Sequence, residues 1–281
     1  MKSNYSIWQE CMPVKLEFSL FKYGQLMLAI DRAYVTRLNV DILEREFAAL
    51  LDGANDKVVH VPGRGIVRWL ALPSGEELIF RLAKRGGAIR HLLRCSFIRL
   101  PGMLWSNTRQ FSELAILSKL YESDHPVPRP VAAMIFQKYG GIVYCGAVIT
   151  EVIPDTKNLL AHCREIAGGD NKKISRDKFE VLSKMVFSAG TAAKNLLEAG
   201  VYHPDLHLGN VLVNGNSQVF IIDFDKAQRI NPQAGIDGYA HKLATRWRRS
   251  VLRHASLFGG NEKEIERVFV AGLFGAKKIH V

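Results

Sequence analysis

Cysteine is scarce in this chain: four in 281 residues, Cys11, Cys95, Cys145 and Cys163, with no C-x-x-C pair. Scattered single cysteines exclude a disulfide framework, give no zinc signature and fit a reducing compartment. Long apolar runs are missing too. No stretch of eighteen apolar residues occurs, so no membrane-spanning helix is expected. The opening MKSNYSIWQECMPVK lacks the apolar core of a signal peptide, so no leader is expected and any membrane role would be peripheral. Acidic residues are outnumbered 27 to 38 by basic ones, which leaves a net charge of +11. Between Leu82 and Ser112 there is no acid at all. Such a balance favours a polyanionic partner: nucleic acid, an anionic membrane surface, or a phosphorylated glycolipid. Composition leaves the three open.

What is present is ordinary for a globular protein, with 48% hydrophobic and 23% charged residues. The length allows one large domain or two modest ones around a sizeable core. The most informative stretch is His203 to Asp225, HPDLHLGNVLVNGNSQVFIIDFD. Two short apolar runs, Val211–Val213 and Val219–Ile222, flank the turn Asn214-Gly215-Asn216, a hairpin signature. Asp205 and Asn210 stand at its entry and Asp223 at its exit. Three oxygen-bearing side chains at one end of a rigid element suit a hard cation and a phosphate. An Asp five residues before an Asn, with Asp-Phe thirteen residues after it, matches the catalytic and metal-binding loops of kinases. In that template Asp205 receives the acceptor proton, and Asn210 and Asp223 hold Mg²⁺ on the phosphates of ATP.

Upstream the pattern is mixed. Residues up to about 36 alternate as one or two strands, and Leu38 to Leu51 reads as an amphipathic helix. Two strand-like runs, Val58–Val61 and Ile66–Leu72, flank Gly63-Arg64-Gly65. A glycine turn can lie over phosphates because bare backbone N–H groups approach closely; an ordinary hairpin turn would read the same. The next strand, Glu77–Leu82, carries Arg81 in the register of the cation that pairs with nucleotide phosphates, with Lys84 just beyond. The helical Gln110–Tyr121 has Phe111, Leu114, Leu117 and Leu120 as its buried stripe, and its Glu113 is the natural ion-pair partner of Arg81. The segment 81–109, with Lys84, Arg85, Arg90, Arg94, Arg99 and Arg109 among apolar residues, reads either as a surface for anionic head groups or as a solvated basic face over a core.

His125 to Ala133 reads as a proline-stiffened connector, followed by strands at 134–136 and 142–150 around Gly140-Gly141. Glu151-Val152-Ile153 occupies the position of a kinase hinge, where backbone groups hold the adenine edge, so Glu151 joins the cofactor-binding candidates. A boundary near Ile153 divides the chain into an N-terminal lobe, 1–153, and a C-terminal lobe, 154–281. The longest helical pattern, Asp177 to Ala199, stops at Gly200. A further helix over Ala240 to Phe258 would turn Leu243, Trp247, Val251 and Leu252 inward, and Glu262 to Phe274 makes the last.

Together these residues resemble the lipopolysaccharide kinase (Kdo/WaaP) family from Gly63 to about Phe258. The resemblance rests on Gly63-Arg64-Gly65, Phe80-Arg81 leading to Arg85-Gly86-Gly87, and Phe111-Ser112-Glu113. It continues through Pro126-Val127-Pro128-Arg129-Pro130, Ile149-Thr150-Glu151-Val152-Ile153-Pro154, Gly200-Val201-Tyr202-His203 and Ile222-Asp223-Phe224-Asp225-Lys226. It implies an α+β, two-lobed protein-kinase-like fold with an antiparallel-sheet N-lobe and a mainly helical C-lobe. It implies transfer of the γ-phosphate of ATP, with Mg²⁺, to a hydroxyl of 3-deoxy-D-manno-octulosonic acid (Kdo) on a lipid A precursor. The setting would be the cytoplasmic face of a bacterial inner membrane. By the same likeness Asp205 is the base, Asn210 and Asp223 are the metal ligands, and Arg81 with Glu113 aligns the phosphates. Two positions depart from protein kinases. Asp225 replaces a common glycine, either adding a carboxylate near the metal or capping the next helix. His207 replaces a common lysine and could meet the γ-phosphate only as a donor.

Other functions remain in view: a heptose or other core-sugar kinase of the same family, a small-molecule kinase of the aminoglycoside type, a kinase-like nucleic-acid-associated protein, or an inactive scaffold. Positive charge disfavours a cationic drug as acceptor. The absence of an RNA-binding aromatic motif means that no nucleic acid is expected. The intact Asp205, Asn210 and Asp223 argue against a scaffold. Oligomeric state is not legible.

Overall fold

A computed structural model describes residues 16–38, 40–52, 58–61, 65–82, 96–99, 104–169 and 174–275. The chain divides into two compact units, Met1–Ser123 with Pro128–Val152, and Asp124–Val127 with Ile153–Val281.

The first unit is built on an antiparallel eight-stranded sheet. Its strands are β1 (Phe18–Tyr23), β2 (Leu26–Asp31), β3 (Val58–Val61), β4 (Gly65–Ala71), β5 (Glu77–Leu82), β6 (Phe97–Ile98), β7 (Pro130–Lys138) and β8 (Val143–Glu151). They run in the order β1-β2-β7-β8-β5-β4-β3, with β6 paired to the start of β8. Helix α1 (Val40–Asp52) sets Leu43 and Phe47 into a core with Leu28 and Ile30 of β2 and Leu78, Phe80 and Leu82 of β5. Side chains alternate along a strand, so Arg81 points to the opposite face from Phe80. Helix α2 (Arg109–Glu122) packs there against β7 and β8 through Phe111, Leu114, Leu117 and Leu120, all buried.

The supposed connector enters the sheet earlier than its prolines suggest. Pro130 opens β7, a position that requires no N–H from it, and Val131, Ala132 and Ala133 are fully buried between β2 and β8.

The second unit holds α3 (Leu159–Ala167), the long α4 (Arg176–Glu198), α5 (Asp237–Arg253) and α6 (Glu262–Phe274). Gly200, at φ +78°, follows the end of α4 and turns the chain into β10 (Val201–Tyr202). The hairpin β11 (Val211–Asn214) and β12 (Val219–Ile221) is joined on its outer side by β9 (Thr156–Asn158), while β13 (Gln228–Arg229) pairs β10. Trp247 of α5 is fully buried and stacks on Phe269 of α6 at 4.0 Å. The expected helix over 240–258 starts earlier and ends at Arg253, and Leu252 faces outward with 54% of its surface exposed. Leu243, Trp247 and Val251 alone satisfy the three-and-four spacing of the inner face, one step away from Leu252.

Candidate active site

The catalytic stretch leaves β10, passes one short 3-10 turn at Leu208–Asn210 and enters β11. Its floor is apolar: Leu206, Leu208, Val211, Val213, Ile221 and Phe224 are buried. His203 is buried too, donates from Nε2 to the Ile222 carbonyl at 3.1 Å, and sits edge-on to Phe224. It thus clips the entry of the hairpin to its exit. Burial holds its pKa below the ordinary value, so it is neutral and structural.

Asn210 is fully buried. Its Nδ2 donates to the Asp205 backbone carbonyl at 3.1 Å, which fixes the amide orientation, and its Oδ1 has no hydrogen-bond partner among the described residues. A buried acceptor left unmet is costly, on the order of 1–3 kcal/mol, unless a bound group satisfies it. Asp223, two residues after β12, holds φ +70°, a left-handed conformation that is unfavourable for a side chain with a Cβ and recurs at functional sites. One amide oxygen and one carboxylate match Mg²⁺, which takes one or two protein oxygens and fills the remainder with water and phosphate. No cluster of three or more His, Cys, Asp or Glu forms a metal site among the described residues. One amide oxygen and one carboxylate suit a cation whose other ligands come from water and phosphate.

Asp205 is gripped on both oxygens. Lys226 Nζ donates to Oδ2 at 2.8 Å; Arg246 donates to Oδ1 from Nε at 3.2 Å and from Nη2 at 2.8 Å. Burial would raise its pKa, but the two cations outweigh it and bring the carboxyl down to about 2. In the first unit, Arg81 of β5 and Glu113 of α2 form an ion pair, with Glu113 3% and Arg81 16% exposed. Glu151 is engaged within the same unit. Its amide donates to the Arg129 carbonyl, and its carboxylate accepts from Arg129 Nη1 at 2.7 Å and from the Tyr34 hydroxyl.

The family model described as Lipopolysaccharide kinase (Kdo/WaaP) family matches residues 51–238. The chain belongs to this family. It is similar to the 3-deoxy-D-manno-octulosonic acid kinase of Vibrio vulnificus (strain CMCP6), 27% identical over 230 residues that cover 82% of this chain and 86% of that protein. The protein of the same name from Photobacterium damsela subsp. piscicida is 30% identical over 201 residues, covering 70% of this chain and 75% of the relative. A third, from Vibrio cholerae serotype O1, is 30% identical over 175 residues, 61% of this chain and 66% of the relative. The fold is the two-lobed kinase-like one, and the chain is an ATP-dependent phosphotransferase that acts on a sugar hydroxyl.

Within this lipopolysaccharide kinase, some expected residues come together and others fall outside the described residues. Asp205 and Asn210 meet through the Asn210 amide, and Arg81 meets Glu113. Gly65 begins β4 opposite Val61, whereas Gly63 and Arg64 lie outside the described residues, as do Lys84, Arg85, Arg90 and Arg94. His207 accepts the Gly209 N–H on Nδ1 at 3.0 Å, so the neutral ring carries its proton on Nε2. Burial first and Arg246 second lower its pKa to about 4. It can therefore donate a hydrogen bond at neutral pH but brings no charge. Sequence reasoning misses two residues of the site, Lys226 and Arg246. Their signal is weak, a lysine after Asp223-Phe224-Asp225 and one arginine in a basic helix.

Proposed function

We propose that this kinase transfers the γ-phosphate of ATP to a hydroxyl of Kdo on a lipid A precursor. The observation that carries the chemistry is the Asp205–Asn210 unit: a carboxylate kept ionised by two cations, beside a buried amide oxygen with no partner among the described residues. The sugar rests on the relatives' names.

Asp205 accepts the hydrogen bond of the acceptor hydroxyl and aims its oxygen at the phosphorus. Its low proton affinity suits a loose transition state, in which the hydroxyl proton leaves late and positioning outweighs base strength. Asn210 Oδ1 and the Asp223 carboxylate would hold Mg²⁺, which when bound neutralises charge on the nucleotide phosphates. Arg81, kept in place by Glu113, takes the α/β-phosphates; Gly63, Arg64 and Gly65 are the candidates for covering them; Glu151 belongs to the segment that meets the adenine edge. His207 offers Nε2–H to a phosphoryl oxygen.

The same reading makes the protein peripheral to an anionic membrane surface, at the cytoplasmic face of the inner membrane. No described helix is long and apolar enough to cross a bilayer. One end of the sheet in the first unit exposes Ile98, Leu104, Tyr139 and Ile142, at 53%, 59%, 79% and 61%. Arg99 braces this end, lying over the Trp105 ring and donating to the Gly141 carbonyl. Exposed apolar side chains beside Arg99 suit an interfacial contact with acidic head groups.

The test is incubation with labelled ATP, Mg²⁺ and a panel of Kdo-lipid A, heptosylated core, protein and RNA acceptors. Label is expected on the Kdo-lipid and is expected to vanish in Asp205→Ala with nucleotide binding retained. Label on another acceptor alone, or an Asp205→Ala variant with wild-type turnover, would refute the reading.

A further inference from the structure

We propose that Arg246 and Lys226 form a subsite for the carboxylate of the acidic acceptor sugar. This rests on the reading of the site as one that phosphorylates Kdo, an acid, and on Asp205 as the group that receives the acceptor hydroxyl. Neither cation is needed to hold a metal, and orienting Asp205 uses only part of their hydrogen-bonding capacity. Lys226 also feels Asp225 and Asp223, so the cationic group beside Asp205 that is not matched by a second carboxylate is Arg246. A neutral sugar has no use for that charge. A sugar acid does, because its carboxylate lies on the same molecule as the hydroxyl being phosphorylated.

The geometry leaves donors for it. Arg246 spends Nε and Nη2 on Asp205 Oδ1, and its planar fork has further N–H groups on Nη1. Lys226 spends one of its three protons on Oδ2. Both remain reachable, with 20% of the Arg246 side chain and 50% of the Lys226 side chain exposed. A carboxylate bridging the two would replace water, not Asp205, and charge-assisted bonds of this kind are the strong ones. Arg246, half-buried, reaches the site from α5, where it precedes the fully buried Trp247. The subsite would select an acidic sugar over a neutral one and set the orientation of its ring.

The experiment compares Kdo-lipid A with its carboxyl methyl ester as acceptors, in wild type, Arg246→Gln, Arg246→Lys and Lys226→Gln. The wild type is expected to prefer the acid by about tenfold or more in kcat/KM, mostly through KM. In Arg246→Gln that preference falls towards one, while turnover of the ester drops only as far as the poorer positioning of Asp205 requires. Lys226→Gln lowers it in part, and serves alone if the Arg246 variants unfold. Equal losses on acid and ester in every folded variant would overturn the subsite and assign the cations to the phosphoryl group or to Asp205. A wild type indifferent to esterification would overturn it as well, with the kinase reading intact. Failure of the wild type to phosphorylate either acceptor would instead strike the Kdo reading itself.

Discussion

The Tyr34 hydroxyl donates a 2.5 Å hydrogen bond to the Glu151 carboxylate, 117 residues away in sequence. Arg129 completes the cluster: Nη1 binds the same Glu151 oxygen, Nη2 binds Asp31 at 2.5 Å, and the guanidinium lies 5.2 Å from the Tyr34 ring centre. Burial and then the Glu151 contact drive the Tyr34 pKa upward, so it stays a donor at all working pH. Asp31 and Tyr34 precede residue 51, where the family match begins, while Glu151 lies at the proposed adenine-binding segment. Residues outside the family match thus hold a cofactor candidate in place.

Tyr34→Phe removes the phenolic donor and little else. A hydrogen bond to a charged partner contributes about 1.5–3 kcal/mol, and Arg129 retains part of that hold on Glu151. The expected result is a loss of roughly 1–2 kcal/mol in urea unfolding and a several-fold rise in KM for ATP with kcat nearly unchanged. A variant equal to wild type in both measurements would show that this tie does not position Glu151.

Arg81 and Glu113 should behave as one unit. Each is largely withdrawn from water, and removing one partner from such a pair leaves a stranded charge, a loss of about 3–5 kcal/mol when burial is complete. Glu113→Gln and Arg81→Met should each raise KM for ATP by tenfold or more, and the double variant should lose far less than the sum. A double-mutant cycle on ATP affinity reads this directly. Additive losses would mean that Glu113 does not hold Arg81 for the nucleotide.

How much of this is legible in the sequence depends on range. The hairpin, the α2 stripe and the Asp205–Asn210–Asp223 spacing are local, carried by periods of two and of three to four residues. Arg81 and Glu113 are 32 residues apart, yet strand register and helix position bring each to a known face. Arg246 reaches Asp205 across 41 residues, from a helix with several other basic residues, so nothing local marks it. Pro130–Ala133 read as a connector because prolines weaken a strand pattern; only the flanking β2 and β8 make it a strand.

Two histidines of the catalytic loop lower stability in acid. His203 and His207 are both held below the ordinary histidine pKa, by burial first, His207 down to about 4. Above pH 6.5 neither the folded nor the unfolded chain protonates them, and they add no pH dependence. Below it the unfolded chain takes up protons that the folded chain refuses, so stability falls by up to about 1.4 kcal/mol per pH unit for each. For His207 this stops near pH 4. Urea midpoints should be level from pH 8 to 7 and decline from 6.5 to 5, and His207→Asn should flatten part of the slope. Constant stability between pH 7 and 5 would contradict the buried neutral state.

The contact that carries the second unit is between two glycines. A Cβ placed on Gly190 of α4 would lie 2.3 Å from the Phe269 carbonyl oxygen, and one on Gly272 of α6 would lie 2.3 Å from that of Phe187. Both obstacles are backbone, so no rotamer relieves them and the helices must move apart. Gly190→Ala should therefore destabilise by about 1–3 kcal/mol or more, although alanine is the better helix former. Because α4 runs into β10 and the catalytic loop, kcat should fall with it. Gly238→Ala is the control: it lies in α5 with nothing within 4 Å of the added methyl, and helix propensity alone should stabilise it by up to about 1 kcal/mol. Urea unfolding of the two variants side by side decides the point, and a Gly190→Ala protein as stable as Gly238→Ala would rule out close α4–α6 packing.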